Sequence, residues 1–530
     1  MQGATKGWTV KRIILSLLSI VMGLIVGSAL LGSWSEPQVQ GKLELYQTNI
    51  LLQAASLNSQ ELEQAKIPVE VYNSLVGKEA VSLAQTQYEA ARAANQQTKA
   101  QLQQKLQAAE LNPEITSRQA IAETVAKPLK SIQRNAQQIN LELGLLQAVQ
   151  QKMTAAQQTW QQLRRDLPES PLANTADVLI QLWNPQKPVP TSAMQLIDRD
   201  LKGWFRYQAL HQLYQRQGDN AALAQLQTTQ IDAALAAIYK LANLTIIRGG
   251  GLLLGVIWGL WLLVAQLLKM RKSAPNVLAE SDELMLDPLL GETKKLSVPW
   301  DGEIIWQVVL GFLVIGQLLL PIVFNLGFKL TGINLAQVAL WQKAAYILFS
   351  YFTMAVGVIW FLRASLAPYQ PLAANWFSFK GTKNWVVWGL GGYLVATPVV
   401  LIVSVINDKI WQGKGGSNPI LSIVLDSKDN SAFIFFLLTA AAAAPLFEEY
   451  FFRGFLMPSL TRYLSSGQAI VASGIIFAAA HLSLSELLPL AVLGIILGYV
   501  YHRTGNLLSS MLLHSLWNGG SMLTLYLLAS

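Results

Sequence analysis

The chain has no cysteine in 530 residues, which excludes disulfides, thiolate metal sites and a cysteine nucleophile. Charge is scarce too: Asp, Glu, Lys and Arg together fill 13% of positions, against 52% for hydrophobic residues. Histidine is rarer still, with four in the chain, and His481, His502 and His514 all lie in its carboxyl-terminal end. The net charge of +8 does not indicate nucleic acid, because the basic residues mostly sit at the ends of apolar segments. That distribution is the pattern of membrane orientation.

What is abundant is apolar helix. The mean hydropathy is +0.34, and 37 glycines with 16 tryptophans suit spanning helices and interfacial belts. Apolar segments at about 13–31, 246–268, 304–326, 338–363, 384–406, 431–456, 468–483, 486–501 and 506–528 give about nine candidate spans. Most approach the roughly 20 residues that a bilayer demands, and the short ones around His481 are expected to end inside the protein. The fold class is therefore all-α: a polytopic membrane helix bundle with an inserted soluble, coiled-coil-like α-helical domain.

The organisation follows the composition. Residues 1–33 read as an uncleaved anchor, since their apolar run exceeds the usual signal-peptide length of about 7–15 residues. Residues 34–245 are rich in Gln, Ala and Leu, and Leu146, Val149, Met153, Ala156, Trp160, Leu163 and Leu167 predict one amphipathic helix. A second helix is expected from Ala80 to Leu111, stopped by Asn112-Pro113, and prolines 168, 171, 185, 188 and 190 predict a loop-rich break. His211 reads as an ordinary surface residue of a helix. The second span occupies 246–272, an acidic loop 273–302, and the polytopic membrane domain 303–530. Basic residues Lys11, Arg12, Lys269, Arg271, Lys272, Arg363, Lys380, Lys383, Arg453, Arg462 and Arg503 share one side if the spans alternate. The amino terminus is then expected in the cytoplasm of a plasma or internal membrane, with 34–245 on the opposite side, open to a protein partner.

The chemistry lies in polar insertions within apolar helices, where ionisable groups are costly and usually functional. Glu448, Glu449 and Arg453 interrupt one span, His481 a second, and His514 with Asn518 a third. Glu449 and Arg453 are four apart and share a helical face, so they are expected to pair. Glu448 points about 100° away and lacks that partner, which suits a general base. Phe477 and His481 share a face, as do His514 and Asn518, whose imidazole and amide could both face a developing oxyanion. His502, at a helix end, reads as interfacial.

EEYFFRG (448–454) resembles the EExxxR signature, FAAAH (477–481) the FxxxH motif and HSLWN (514–518) the HxxxN motif of the CPBP (CAAX protease and bacteriocin-processing, or Abi) intramembrane proteases. The similarity covers about 380–530 and leaves 34–245 without a function. It implies a helical bundle that hydrolyses peptide bonds of membrane-associated or prenylated (CAAX-type) peptide or protein substrates. Glu448 and His481 would activate water, His514 and Asn518 would stabilise the oxyanion, and Glu449, Arg453 and Phe477 would support the site.

Three alternatives stand beside this glutamic-type reading. Glu448, His481 and His514 form a ligand set of the kind that holds catalytic zinc or another divalent metal. The chain lacks H-E-x-x-H, however, so no required cofactor is expected. The same bundle could serve as a non-catalytic scaffold or immunity-type binding protein. A proton-relaying transporter would favour repeated halves, which the chain lacks.

A cysteine-free chain allows the topology to be mapped with single cysteines. Cysteines replacing Ser56 and Ser170 should react with a membrane-impermeant reagent added outside the cell, and one replacing Ser281 should not; the opposite pattern reverses the orientation.

Overall fold

The computed structural model describes residues 9–273 and 298–529, apart from 35, 37, 78, 111–114, 167–168, 336, 374–375, 381–383 and 427–428. The acidic loop residues, Leu111, Asn112-Pro113, Leu167, Pro168 and Lys383 lie outside the described residues. Among the described residues all long elements are helices. They form two compact units, Met1–Glu36 with Arg248–Ser530, and Pro37–Ile247.

The inner unit of the sequence is a soluble-type bundle. After α1 (Val10–Ser33), which belongs to the other unit, come α2 (Val39–Ala54), α3 (Ser59–Gln64), α4 (Val69–Val76), α5 (Ala80–Glu110), α6 (Ile115–Val149) and α7 (Met153–Asp166). They continue with α8 (Pro171–Leu182), α9 (Ala193–Asp200), α10 (Gly203–Gln217) and the first part of α11 (Asn220–Ser273). The stripe from Leu146 to Leu163 is not one helix. The chain turns between Val149 and Met153, with Gln151 at φ +61°, and Leu146, Ala156, Trp160 and Leu163 meet in one core from two helices. Trp160 donates its Nε1–H to the Leu141 carbonyl at 3.1 Å, which ties α7 back onto α6. The proline-rich break is a loop after α8, pinned by Arg216, whose guanidinium donates to the carbonyls of Gln181, Leu182, Asn184, Pro185 and Lys187. Pro171 does not belong to that break, because it starts α8, where a missing N–H costs nothing. His211 is half-buried beside Tyr207 rather than on the open surface, and burial pushes its imidazole below the ordinary value. Glu142 accepts from Tyr88 at 2.7 Å and Gln138 at 2.6 Å, and burial raises its carboxyl above the ordinary value.

The other unit is the membrane domain, and the chain is a multi-pass integral membrane protein. It contains α1, the end of α11, α12 (Gly302–Thr331), α13 (Leu340–Leu366), α14 (Trp385–Trp411), the short α15 (Pro419–Asp426) and α16 (Asn430–Leu460). It ends with α17 (Ser466–Ala479), α18 (Leu484–Thr504) and α19 (Leu507–Ala529). Among the described residues seven helices are long and apolar enough to cross a membrane, fewer than the about nine expected. The remaining two explain the difference. α17 has 14 residues, about 21 Å at 1.5 Å per residue, short of the hydrocarbon core. α19 has 23, but Ser509, Ser510, His514 and Asn518 dilute its hydropathy. The expected start of a span at 246 is no boundary either, since α11 continues through it. Outer faces carry bare apolar side chains such as Leu330 (78% exposed) and Trp360 (71% exposed), which suits lipid.

Packing in this unit sets the stage for the polar residues. α16 lies between α13 and α19, and α14 packs on both α18 and α19. α17 and α18 approach so closely that a Cβ on Gly494 would lie 2.9 Å from the Gly474 Cα. Arg12 and Lys11 of α1 pair with Glu303 of α12 at 2.9 and 3.1 Å.

In the soluble-type unit, a Cβ on Gly144 would meet the Trp160 indole at 2.2 Å. Gly144→Ala should therefore lower the thermal stability of that unit by about 1–3 kcal/mol, the usual cost of overpacking, measured by thermal unfolding of the full-length protein. Unchanged stability would mean that Trp160 does not seal this core.

Candidate active site

Five of the seven sequence-selected residues come together on α16, α17 and α19. Glu449 and Arg453 are both fully buried and pair at 2.8 Å. Arg453 also donates to the Gly494 carbonyl at 2.8 Å, an acceptor made available where α18 runs against α17 through glycine. Its guanidinium lies 4.7 Å from the Phe477 ring centroid, a cation–π contact in a water-poor setting. Phe452 and Phe312 extend the aromatic wall, Phe452 at 5.3 Å from Phe477 and Phe312 at 6.1 Å from Phe452.

The same Glu449 oxygen takes His514 Nδ1 at 2.9 Å. A carboxylate oxygen accepts, so Nδ1 is the donor of this contact. Nε2 lies 3.9 Å from Glu448 Oε2, too far for a hydrogen bond. The two carboxyl groups thus differ sharply. Among the described residues, Glu449 is fully buried, with Arg453 and His514 both on its Oε1 and its Oε2 unpartnered, while Glu448 is 14% exposed and has no cationic partner at hydrogen-bond distance. Its Oε2 is a buried atom without a hydrogen-bond partner among the described residues, and its Oε1 accepts from Tyr351 on α13 at 2.7 Å.

His481 packs on Phe477. It follows the end of α17 rather than lying within a span, yet it keeps the Phe477 side, with ring centroids 4.9 Å apart. Its Nδ1 donates to the Phe477 carbonyl at 2.9 Å. Phe477 also contacts the His514 ring at 5.7 Å, so both imidazoles pack on one aromatic ring. His502 lies in the last turn of α18.

Asn518 has a partner that α-helical spacing does not suggest. Its Nδ2 donates to the Ala440 carbonyl at 2.9 Å. Ala440 lies in a π-helical stretch, Thr439–Ala443, where Ala444 N–H reaches the Thr439 carbonyl. The next carbonyl in that register, Ala440, would pair with the N–H of residue 445, but Pro445 has none. Asn518 fills the gap with one of its two N–H groups, and the other remains to donate. Wide turns recur here: Ile315–Leu319, Thr439–Ala443 and Tyr450–Leu456 each end two residues before a proline, Pro321, Pro445 and Pro458. A proline clashes with the carbonyl four residues back, and a widened turn relieves that clash.

The metal set does not close. Among the described residues no group of three His, Asp or Glu converges as metal ligands. Two ligands on one tetrahedral zinc sit about 3.3 Å apart given bonds near 2.0–2.1 Å, against 3.9 Å between Glu448 and His514.

Sequence reading missed Tyr351, the Ala440 carbonyl and the Gly494 carbonyl. Tyr351 sits in an aromatic-rich apolar run and carries no local sign of its partner; the two carbonyls have no side-chain signal, although Pro445 and the helix-packing glycines hint at them.

A family model described as Type II CAAX prenyl endopeptidase Rce1-like matches residues 430–520. The chain is 25% identical over 199 residues to the membrane-embedded CAAX protease MroQ of Staphylococcus aureus (strain USA300), covering 36% of this chain and 78% of that protein. No solved structure matches.

Proposed function

We propose that the chain, which is similar to the CPBP (CAAX protease) family through its carboxyl-terminal membrane region, is an intramembrane protease of CAAX type in which Glu448 is the general base that activates water. The observation that carries this reading is the asymmetry of the adjacent carboxyl groups: Glu449 is fully buried in an ion pair with Arg453, and Glu448 is partly exposed, outside that pair, with an unpartnered Oε2 opposite His514 Nε2. A water oxygen about 2.8 Å from each of two atoms 3.9 Å apart fits between them.

In this reading the water oxygen attacks the peptide carbonyl carbon while one proton passes to Glu448 Oε2. The carbonyl π electrons move to oxygen, giving the tetrahedral oxyanion. The free N–H of Asn518 donates to that oxyanion, while the role of His514 beside it comes from the family resemblance. The C–N bond then breaks as the amine takes the proton held by Glu448. His481 presents Nε2 to the same water, a role that comes from the family resemblance. Substrates are peptides at or in the bilayer, prenylated CAAX-type tails among them. The reading requires no metal, and the amino terminus faces the cytoplasm.

The test compares full-length protein with Glu448→Gln on a farnesylated, internally quenched CAAX peptide in lipid vesicles, together with proteomics of membranes holding each form. Cleavage should fall by at least about 10²-fold, in the range of general acid–base catalysis, with membrane insertion intact and no effect of chelator on the wild type. Near wild-type cleavage by Glu448→Gln sinks the general-base role, and loss in chelator restored by stoichiometric zinc establishes the metalloprotease reading.

A further inference from the structure

Tyr351 lies on α13, outside the residues matched by the family model and 97 positions from its partner. Its hydroxyl donates to Glu448 Oε1 at 2.7 Å, and its ring packs edge-on against Phe447 at 5.9 Å. The terminal torsion of a glutamate is broad and roughly two-fold. Without an anchor, the carboxylate exchanges its two oxygens and swings its lone pairs away from any fixed water. A donor held by a neighbouring helix removes that freedom and decides which oxygen is presented.

The surroundings leave no substitute for this donor among the described contacts. On α16, Arg453 is turned to Glu449 and the Gly494 carbonyl. On α19, His514 gives its Nδ1 proton to Glu449 and stands 3.9 Å from Glu448 Oε2. The hydrogen bond from α13 therefore acts on one oxygen, and the opposite oxygen is the buried atom that has no partner. We infer that Tyr351 is a positioning residue of the proteolytic site: it clamps Glu448 Oε1 so that Oε2 alone serves as the base toward water. This rests on the reading of Glu448 as general base. It also means that α13 completes the site, which the residues 430–520 do not contain by themselves.

A buried tyrosine hydroxyl often only satisfies its own hydrogen bond, and the experiment separates that role from clamping. In full-length protein, Tyr351→Phe removes one oxygen and keeps the ring against Phe447. With the farnesylated quenched peptide it should lower kcat about 10–100-fold, as expected when a hydrogen bond to a charged group is lost, and leave KM unchanged. In infrared difference spectra, which need no substrate, the carboxyl band abolished by Glu448→Gln should shift in Tyr351→Phe. Glu448→Gln, which leaves Tyr351 in place, should in turn move a tyrosine C–O band. Wild-type kcat in Tyr351→Phe with an inactive Glu448→Gln overturns the clamp alone, as do unmoved bands. An active Glu448→Gln overturns the base assignment instead. If the wild type ignores the farnesylated peptide, the infrared bands decide the clamp.

Discussion

The membrane domain depends on one buried ion pair. Glu449 and Arg453 sit at zero exposure inside a bundle surrounded by apolar surface, where an uncompensated charge costs several kcal/mol. The pair is made tolerable by partners drawn from the neighbouring helices. Arg453 takes a carbonyl of α18 and the face of Phe477 on α17, and Glu449 takes His514 of α19. One local i,i+4 contact on α16 therefore dictates where three neighbouring helices must lie. It also shapes the neighbouring site, because Glu448, which is not used in this way, turns toward α13 and His514.

Prolines supply the second constraint. Pro445 and Pro458 bracket the charged stretch, and each follows a widened turn that shifts the helical register by one residue. The cost of the missing N–H at Pro445 reappears as a fixed hydrogen bond from Asn518 to Ala440, so a backbone defect orients an amide. π-turns concentrate at functional positions in many helices for this kind of reason. Here they mean that side-chain directions around Glu448 cannot be read off a uniform 100° wheel.

Local interactions were legible in the sequence and long-range ones were not. The Glu449–Arg453 contact follows from spacing alone, and the helices follow from hydropathy because apolar runs have few other solutions. The two histidines were recognisable as a set because ionisable groups are rare at membrane depth. The turn at Gln150–Lys152 was hidden, since both helices it joins present apolar residues to one core and the stripe reads as continuous. His481 was expected within a span and lies beyond the end of α17, tied to it by its own ring nitrogen. Tyr351 was invisible for a deeper reason: an aromatic residue in an apolar run usually faces lipid or core, and only the folded bundle brings this hydroxyl to Glu448.

The central claim is that the buried pair is organised for the site and not for stability as such. Thermal unfolding of the full-length protein with Glu449→Leu, Arg453→Met and the double replacement tests it most directly. Each single variant should lose about 3–5 kcal/mol by stranding a buried charge, while the double variant should recover most of that loss. The double variant should nevertheless stay inactive on a peptide that the wild type cleaves, because His514 Nδ1 has lost its acceptor. Additive losses in the double variant, or a stable double variant with full activity, would contradict the account.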